Sequence, residues 1–176
     1  LGDKGVTVVE TGKILIAFFS HSGNTRRAAE DIAARVKGDL FEIKTVTDYP
    51  SDYSSTTKVA RKELLDGLRP ALTETVANVA AYDTVIIGFP NWWGTMPMAV
   101  FSFLEAHDFS GKKLLPFCSH GGGGLGRSVR DIRALVPRAT VRDALALQDY
   151  DGRGAGDAIA EWLSVCGVRC GDRESR

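Results

Sequence analysis

Two hexapeptides, ILIAFF at 14–19 and TVIIGF at 84–89, are apolar at almost every successive position. A strand with one wet face alternates apolar and polar residues. An unbroken apolar run therefore implies a strand covered on both faces, as in a parallel sheet wrapped by helices. Three more short runs have strand character: LFEIK near 40, KLLPFC at 113 and TVRDALAL at 140. Between the runs, apolar residues recur at helical spacing: Ala28, Ala29, Ile32, Ala33 and Val36; then Leu125, Val129, Ile132 and Val136; then Ala158, Ile159, Trp162, Leu163 and Cys166. Strand and helix in alternation predict a doubly wound α/β fold.

The 176 residues suit one domain, with no internal repeat or linker to divide it. Residues 1–12 are set apart as an N-terminal extension and 167–176 as a tail. The stretch 49–72 is longer than an ordinary connection and carries its own helical pattern, STTKVARKELLDGL, closed by Gly67 and Pro70, so it is expected to form an inserted flap. No apolar run approaches a membrane span. Lysine plus arginine and aspartate plus glutamate both total 22, which gives no general argument for nucleic-acid or membrane binding. The three cysteines, Cys118, Cys166 and Cys170, argue against a disulfide framework and favour a reducing compartment. A cytoplasmic location is the default expectation, although Leu1 leaves room for a removed signal upstream.

Ligands of an open parallel sheet bind at the carboxyl ends of its strands. Three of those ends are unusual here: SHSGNT at 20–25, PNWWGTMP at 90–97 and SHGGGGLG at 119–126. In the first, Ser20, His21, Ser22, Gly23, Asn24 and Thr25 precede a helix. Small residues there let backbone N–H groups converge at the positive end of the helix dipole, which suits an anion. Capping of the helix by Ser22 or Asn24 is the simpler alternative. A Walker loop would need GKS or GKT, and a dinucleotide site would need GxGxxG after the first strand; both are absent.

In the second loop, Trp92 and Trp93 cannot both be buried in one direction from a strand end, so one is expected to face a flat aromatic ligand. Gly94 lets the backbone approach that ligand, and Pro97 is expected to open the next helix. The four successive glycines of the third loop suggest a backbone passing close to a ligand. Core filling by the tryptophans and a plain solvent loop are the competing readings. An anion cradle, an aromatic wall and a glycine loop on one edge together describe a site for a phosphate attached to a flat ring system.

With these motifs in place, the chain resembles the flavodoxins, particularly a subgroup with a PxWWGTxP loop. The resemblance runs from Lys13 to about Trp162, through SHSGNT, YDTVIIGFPNWWGTMP and FCSHGGGGLGRSV, with YPSDYSSTTKVARKELLDGLRP as a subgroup insertion. It implies a three-layer αβα sandwich with a five-stranded parallel sheet in the order 2-1-3-4-5 and non-covalent FMN at the switch between strands one and three. Flavodoxin is itself the usual example of that strand order and of FMN at that switch point. Ser20, His21, Ser22, Gly23, Asn24 and Thr25 would surround the phosphate. Pro90, Asn91, Trp92, Trp93, Gly94 and Thr95 would flank the isoalloxazine, and Ser119, His120, Gly121 and Gly122 would line its other side.

The implied function is electron transfer with a redox partner protein or a small-molecule acceptor. An FMN-dependent NAD(P)H:quinone-type reductase, with 49–72 as a lid, is the alternative. No catalytic acid or base is obligatory, and the Trp93–Gly94 peptide is expected beside the flavin N5, where glycine would let it reorient. Electron-carrier flavodoxins are usually strongly acidic, whereas this chain is neutral and carries Arg127, Arg130, Arg133, Arg138 and Arg142 close together. A hydrolase built on Ser20 or Ser119 with His21 or His120 lacks a GxSxG elbow and a third orienting residue. His21, His107, His120 and Cys118 lack metal-ligand spacing.

Overall fold

A computed structural model describes residues 12–171 of the chain. The rest of the expected N-terminal extension, and the tail beyond 171, lie outside the described residues. The first apolar run forms β1 (Lys13–Phe18), followed by α1 (Asn24–Val36) and β2 (Asp39–Glu42). Helix α2 (Tyr53–Asp66) follows, then β3 (Tyr82–Pro90), α3 (Met98–Ala106), β4 (Lys113–His120) and α4 (Ser128–Leu135). Two short strands, β5 (Thr140–Val141) and β6 (Leu145–Gln148), and helix α5 (Gly156–Val165) complete the order.

The strands are parallel and ordered β2-β1-β3-β4-β5, with β6 also paired to β4. The sheet thus has the expected order with the fifth strand split in two. Pro116 in β4 explains the split. Leu114, two residues earlier, accepts a hydrogen bond from the Arg142 N–H at 2.9 Å. Pro116 faces the same neighbour but has no N–H to offer, and the strand opposite is interrupted over residues 142–144. The Asp143 carbonyl freed at this break accepts from the Trp162 indole of α5 at 2.7 Å. TVRDALAL is therefore two strands around a helix-anchoring break.

Alternation along the central strands fills both layers. Leu15, Ala17, Val85, Ile87 and Phe89 point to a core completed by Ala99, Val100, Phe103 and Leu104 of α3 and Ile132 of α4. Ile16, Phe18, Ile86, Leu115 and Phe117 point to the other, completed by Ala28, Ala29 and Ile32 of α1 and Ile159, Trp162 and Leu163 of α5. This is the three-layer αβα sandwich. Ala158 departs from its expected place on a buried helix face: it is exposed, outside the narrower stripe of α5 that Ile159, Trp162 and Leu163 bury. Pro97 stands at the start of α3, as its fixed φ favours.

The excursion after β2 leaves and rejoins the fold at one point. An antiparallel bridge joins Thr45 to Leu72, with the Val46 N–H on the Ala71 carbonyl and the Thr73 N–H on the Lys44 carbonyl, both at 2.9 Å. Its helix α2 is started by the Asp52 carboxylate, which accepts from the Ser55 N–H at 2.7 Å, and stopped by Gly67 at φ +62°.

Below α2, the Tyr49 hydroxyl donates to the Glu63 carboxylate at 2.7 Å. Burial pushes the Glu63 carboxyl above its ordinary value, and the Tyr49 hydrogen bond offsets only part of that rise. Glu63 thus holds a proton more tightly folded than unfolded. Its contribution to stability is complete below the unfolded-state value and is lost as pH rises through the raised folded-state value. Urea melts from about pH 4 to about pH 7 should show Glu63→Gln losing less stability across that interval than the parent chain. An equal loss in both proteins would contradict this.

Candidate functional site

A cavity of about 490 Å³ opens at the carboxyl edge of the sheet, lined from all three of the unusual loops. His21, Ser22 and Asn24 come from the first, Pro90, Asn91, Trp92 and Trp93 from the second, and Ser119, His120 and Gly121 from the third. Ser20, Gly23, Thr25, Gly94, Thr95 and Gly122 belong to the same loops but are not among the residues that line the cavity.

In the first loop, Gly23 adopts φ +96°, a left-handed conformation suited to glycine, and its N–H donates to the Ser20 hydroxyl at 3.1 Å. The N–H groups of His21, Ser22, Asn24, Thr25 and Arg26 have no acceptor among the described residues. They are the free donors of a helix start, with the dipole behind them. The Asn24 side chain caps nothing: its oxygen accepts from Arg27 at 2.9 Å. The Thr25 and Ser119 hydroxyls bond each other at 2.7 Å, both buried, and so tie the first loop to the end of β4. Removing either leaves the other without its partner, so Thr25→Val or Ser119→Ala should each cost about 1–2 kcal/mol. The double variant should cost less than their sum. Additive losses in denaturant melts would contradict the coupling.

The second loop is a two-residue turn. Trp92 and Thr95 exchange backbone hydrogen bonds, Trp92 N–H to Thr95 O at 2.9 Å and Thr95 N–H to Trp92 O at 3.3 Å. Trp93 and Gly94 between them have φ +55° and +80°. Two positive φ values identify a type I′ turn. The turn sends the two indoles apart. Trp92 packs edge-on against Tyr49 (5.0 Å between centroids), Phe19 (5.3 Å) and His21 (5.8 Å). Trp93 remains 44% exposed, donates its indole N–H to the Thr57 carbonyl of α2 at 3.0 Å, and lies 5.3 Å beneath the Arg61 guanidinium.

Both rings nevertheless line the cavity. Thr95 is almost fully buried and donates to the Asp131 carboxylate at 2.6 Å, so its side chain holds α4 rather than facing the cavity.

Asn91 braces this turn. Its side-chain oxygen accepts from the Gly94 N–H at 2.9 Å, and its amide donates to the Gly124 carbonyl of the third loop at 2.8 Å. Reorienting the Trp93–Gly94 peptide would break the first bond and turn the I′ turn into II′, whose first central position strongly favours glycine. Trp93 occupies that position. The turn is stiffer than its glycine alone suggests.

The third loop is organised rather than loose. His120 Nδ1 accepts from the N–H groups of Gly122 (3.0 Å) and Gly124 (3.1 Å), which fixes that nitrogen as unprotonated in this arrangement. The Arg127 N–H donates to the Gly94 carbonyl at 2.7 Å. At Gly126 the close neighbour that requires glycine is this same turn: a Cβ there would lie 2.2 Å from the Gly94 carbonyl oxygen.

His21 places Nε2 2.8 Å from the Pro50 carbonyl, linking the first loop to the entry of α2. Among the described residues, neither His21 nor His120 is paired with a serine. Burial pushes the Cys118 thiol up to about 12, leaving it inert at neutral pH. Among the described residues, no group of three or more His, Cys, Asp or Glu side chains could hold a metal ion, and no helix is long and apolar enough to cross a membrane.

Six lining residues fall outside the three motifs. Tyr53, Thr56, Thr57 and Ala60 form one face of α2, and Asp149 and Tyr150 follow β6. The α2 set was detectable, because 53, 56, 57 and 60 share helical spacing. Asp149 and Tyr150 carry no such signal; they reach the cavity because β6 ends at the same edge, with the Asp149 N–H on the His120 carbonyl at 2.8 Å.

Solved structures share this architecture. A protein assigned as a flavoprotein from Bacteroides eggerthii is 35% identical, with a TM-score of 0.80, over 89% of this chain and 99% of that one. Another, from Bacteroides uniformis, is 30% identical at TM-score 0.75 over 87% and 98%. The fold is shared at 21% identity and TM-score 0.68 by a flavoprotein from Lactobacillus acidophilus solved in complex with FMN, over 86% and 98%. A family model described as flavodoxin matches residues 13–166. On that match, and on its likeness to the Bacteroides eggerthii protein, the chain belongs to the flavodoxin family.

Proposed function

We propose that the cavity holds FMN non-covalently and that the protein works in electron transfer. The observation that carries this reading is the pairing, across one cavity, of five N–H groups around Gly23 that have no acceptor among the described residues with the indoles of Trp92 and Trp93. A phosphate monoester fits the first end, since a group that is held but not transferred needs donors and a helix dipole rather than a lysine. A planar ring fits the second, where Trp92 is fixed by its aromatic neighbours and Trp93 by Thr57. FMN, when bound, supplies reversible transfer of one or two electrons.

The chain's own residues then have distinct tasks. His21, Ser22, Asn24, Thr25 and Arg26 offer backbone N–H groups to the phosphate. Trp92 and Trp93 orient the ring and keep water from it. Asn91 holds the Gly94 N–H in place, and His120 gathers the glycine loop beside it. Comparing FMN with riboflavin tests this assignment. FMN should bind at least about 100-fold more tightly, the effect of losing two charge-assisted hydrogen bonds. Equal affinities would rule out the phosphate site.

A reductase is the second reading, favoured by α2, whose Tyr53, Thr56, Thr57 and Ala60 wall the cavity while Tyr53 stays 86% exposed at its rim. Rapid bleaching of the bound flavin by NADPH alone would select the reductase; no bleaching without a partner protein selects the carrier.

A further inference from the structure

Trp93 stands exposed at the cavity mouth, with one guanidinium over its ring and another beside the next residue, Gly94. Arg61 of α2 lies over its ring, and Arg127, just before α4, has a guanidinium nitrogen 3.7 Å from where a Cβ on Gly94 would be. Arg130 follows with its side chain 75% exposed. Asp131 is the sole carboxylate in ion-pair range of Arg127 (3.5 Å) and Arg130 (3.4 Å) among the described residues, and it also accepts from Thr95. Arg61 has no carboxylate partner among the described residues. Of the other nearby acids, Glu63 is bonded to Tyr49 beneath α2, and Asp149 lies beside Gly121. A chain of zero formal charge thus collects positive charge around one exposed indole.

None of the three arginines lines the cavity. They are spread over two elements rather than gathered into a pocket, which disfavours a small anion. An aromatic centre with a rim of arginines is instead the composition of a protein-binding patch. We propose that this surface docks the acidic face of a redox protein and brings that partner to the Trp93 edge of the cavity. The proposal rests on the reading that the cavity holds FMN. It also reverses the charge expected of acidic electron-carrier flavodoxins.

The test uses the full chain loaded with FMN, mixed without oxygen with a reduced plant-type [2Fe–2S] ferredoxin, an acidic carrier with a potential of about −400 mV. Each reduced cluster gives up one electron, and the flavin takes two with protons from water, so two ferredoxins are oxidised per flavin bleached. Bleaching should slow about tenfold from low to high ionic strength. Arg61→Gln/Arg127→Gln/Arg130→Gln should react at the high-salt rate throughout. The milder Arg61→Gln/Arg130→Gln pair, which leaves the Arg127 contact with Asp131 intact, should lie between. Photoreduction of the variants verifies that they are folded and loaded. Bleaching insensitive to salt and to the arginines overturns the proposal. So does bleaching by NADPH with that same dependence while ferredoxin is inert, which would make the anion a dinucleotide. A chain that shows no flavin bands at the outset sinks the FMN reading, and this proposal with it.

Discussion

Gly126→Val is expected to cost the protein its hold on FMN, lowering affinity by more than about 100-fold, and to destabilise the fold by about 2–3 kcal/mol. Gly126 has φ +54°, and a Cβ built there lies 2.2 Å from the Gly94 carbonyl oxygen, 2.7 Å from its carbon and 2.9 Å from its Cα. These are backbone atoms, so no side chain can step aside. The second and third loops must separate, breaking the bond from the Arg127 N–H to Gly94 and pulling Gly124 from Asn91. Gly124→Ala is the control. Its φ is also positive, at +64°, but nothing among the described residues lies within 4 Å of the added Cβ. It should lose only about 1 kcal/mol and keep its cofactor. Titration with FMN, followed by flavin fluorescence, separates the two; equal behaviour would mean that strain alone, rather than the contact of the two loops, governs the site.

Phe117→Ala should give the largest loss of stability, about 3–5 kcal/mol, with little change in the denaturant m-value. The ring is fully buried in β4, packs edge-on against Trp162 at 6.4 Å, and fills the space that Gly88 leaves in β3. A Cβ on Gly88 would come within 2.0 Å of that ring. Gly88→Ala is therefore expected to overpack the native protein by about 1–3 kcal/mol, yet to be tolerated better once Phe117 has been removed. Denaturant melts of the two singles and the double close the cycle. Additivity would mean that the glycine and the ring are independent.

The layered sheet was legible because its signal is local: runs such as ILIAFF and TVIIGF state by themselves that both faces are covered. The split of the last strand was not, because its cause, Pro116, lies on the neighbouring strand and acts across the sheet. The same contrast holds at the site. SHSGNT and PNWWGTMP announce themselves by composition, and the structure brings both, with SHGGGGLG, to one cavity.

What composition could not supply is which partner each residue takes. Thr25 meets Ser119 across 94 positions, Thr95 meets Asp131 across 36, and the glycine run is shaped by His120 and by Asn91 as well as by the cavity. Four successive glycines look like freedom in the sequence. In the fold, two of them donate their N–H groups to one imidazole nitrogen.

The arginines after Gly126 show a different limit. Their number was visible, but whether they form a neutral helix face or a patch depends on Asp131 being shared and on Arg61 arriving from α2.

Whether the edge cavity between the three loops is an FMN site is decided by adding FMN to the purified chain and recording the visible spectrum after free flavin has been removed. Flavin bands should stay with the protein in stoichiometric amount, with quenched tryptophan fluorescence as the ring settles against Trp92 and Trp93. A folded protein that stays colourless, with its tryptophan emission unchanged, would mean that the cavity is not an FMN site.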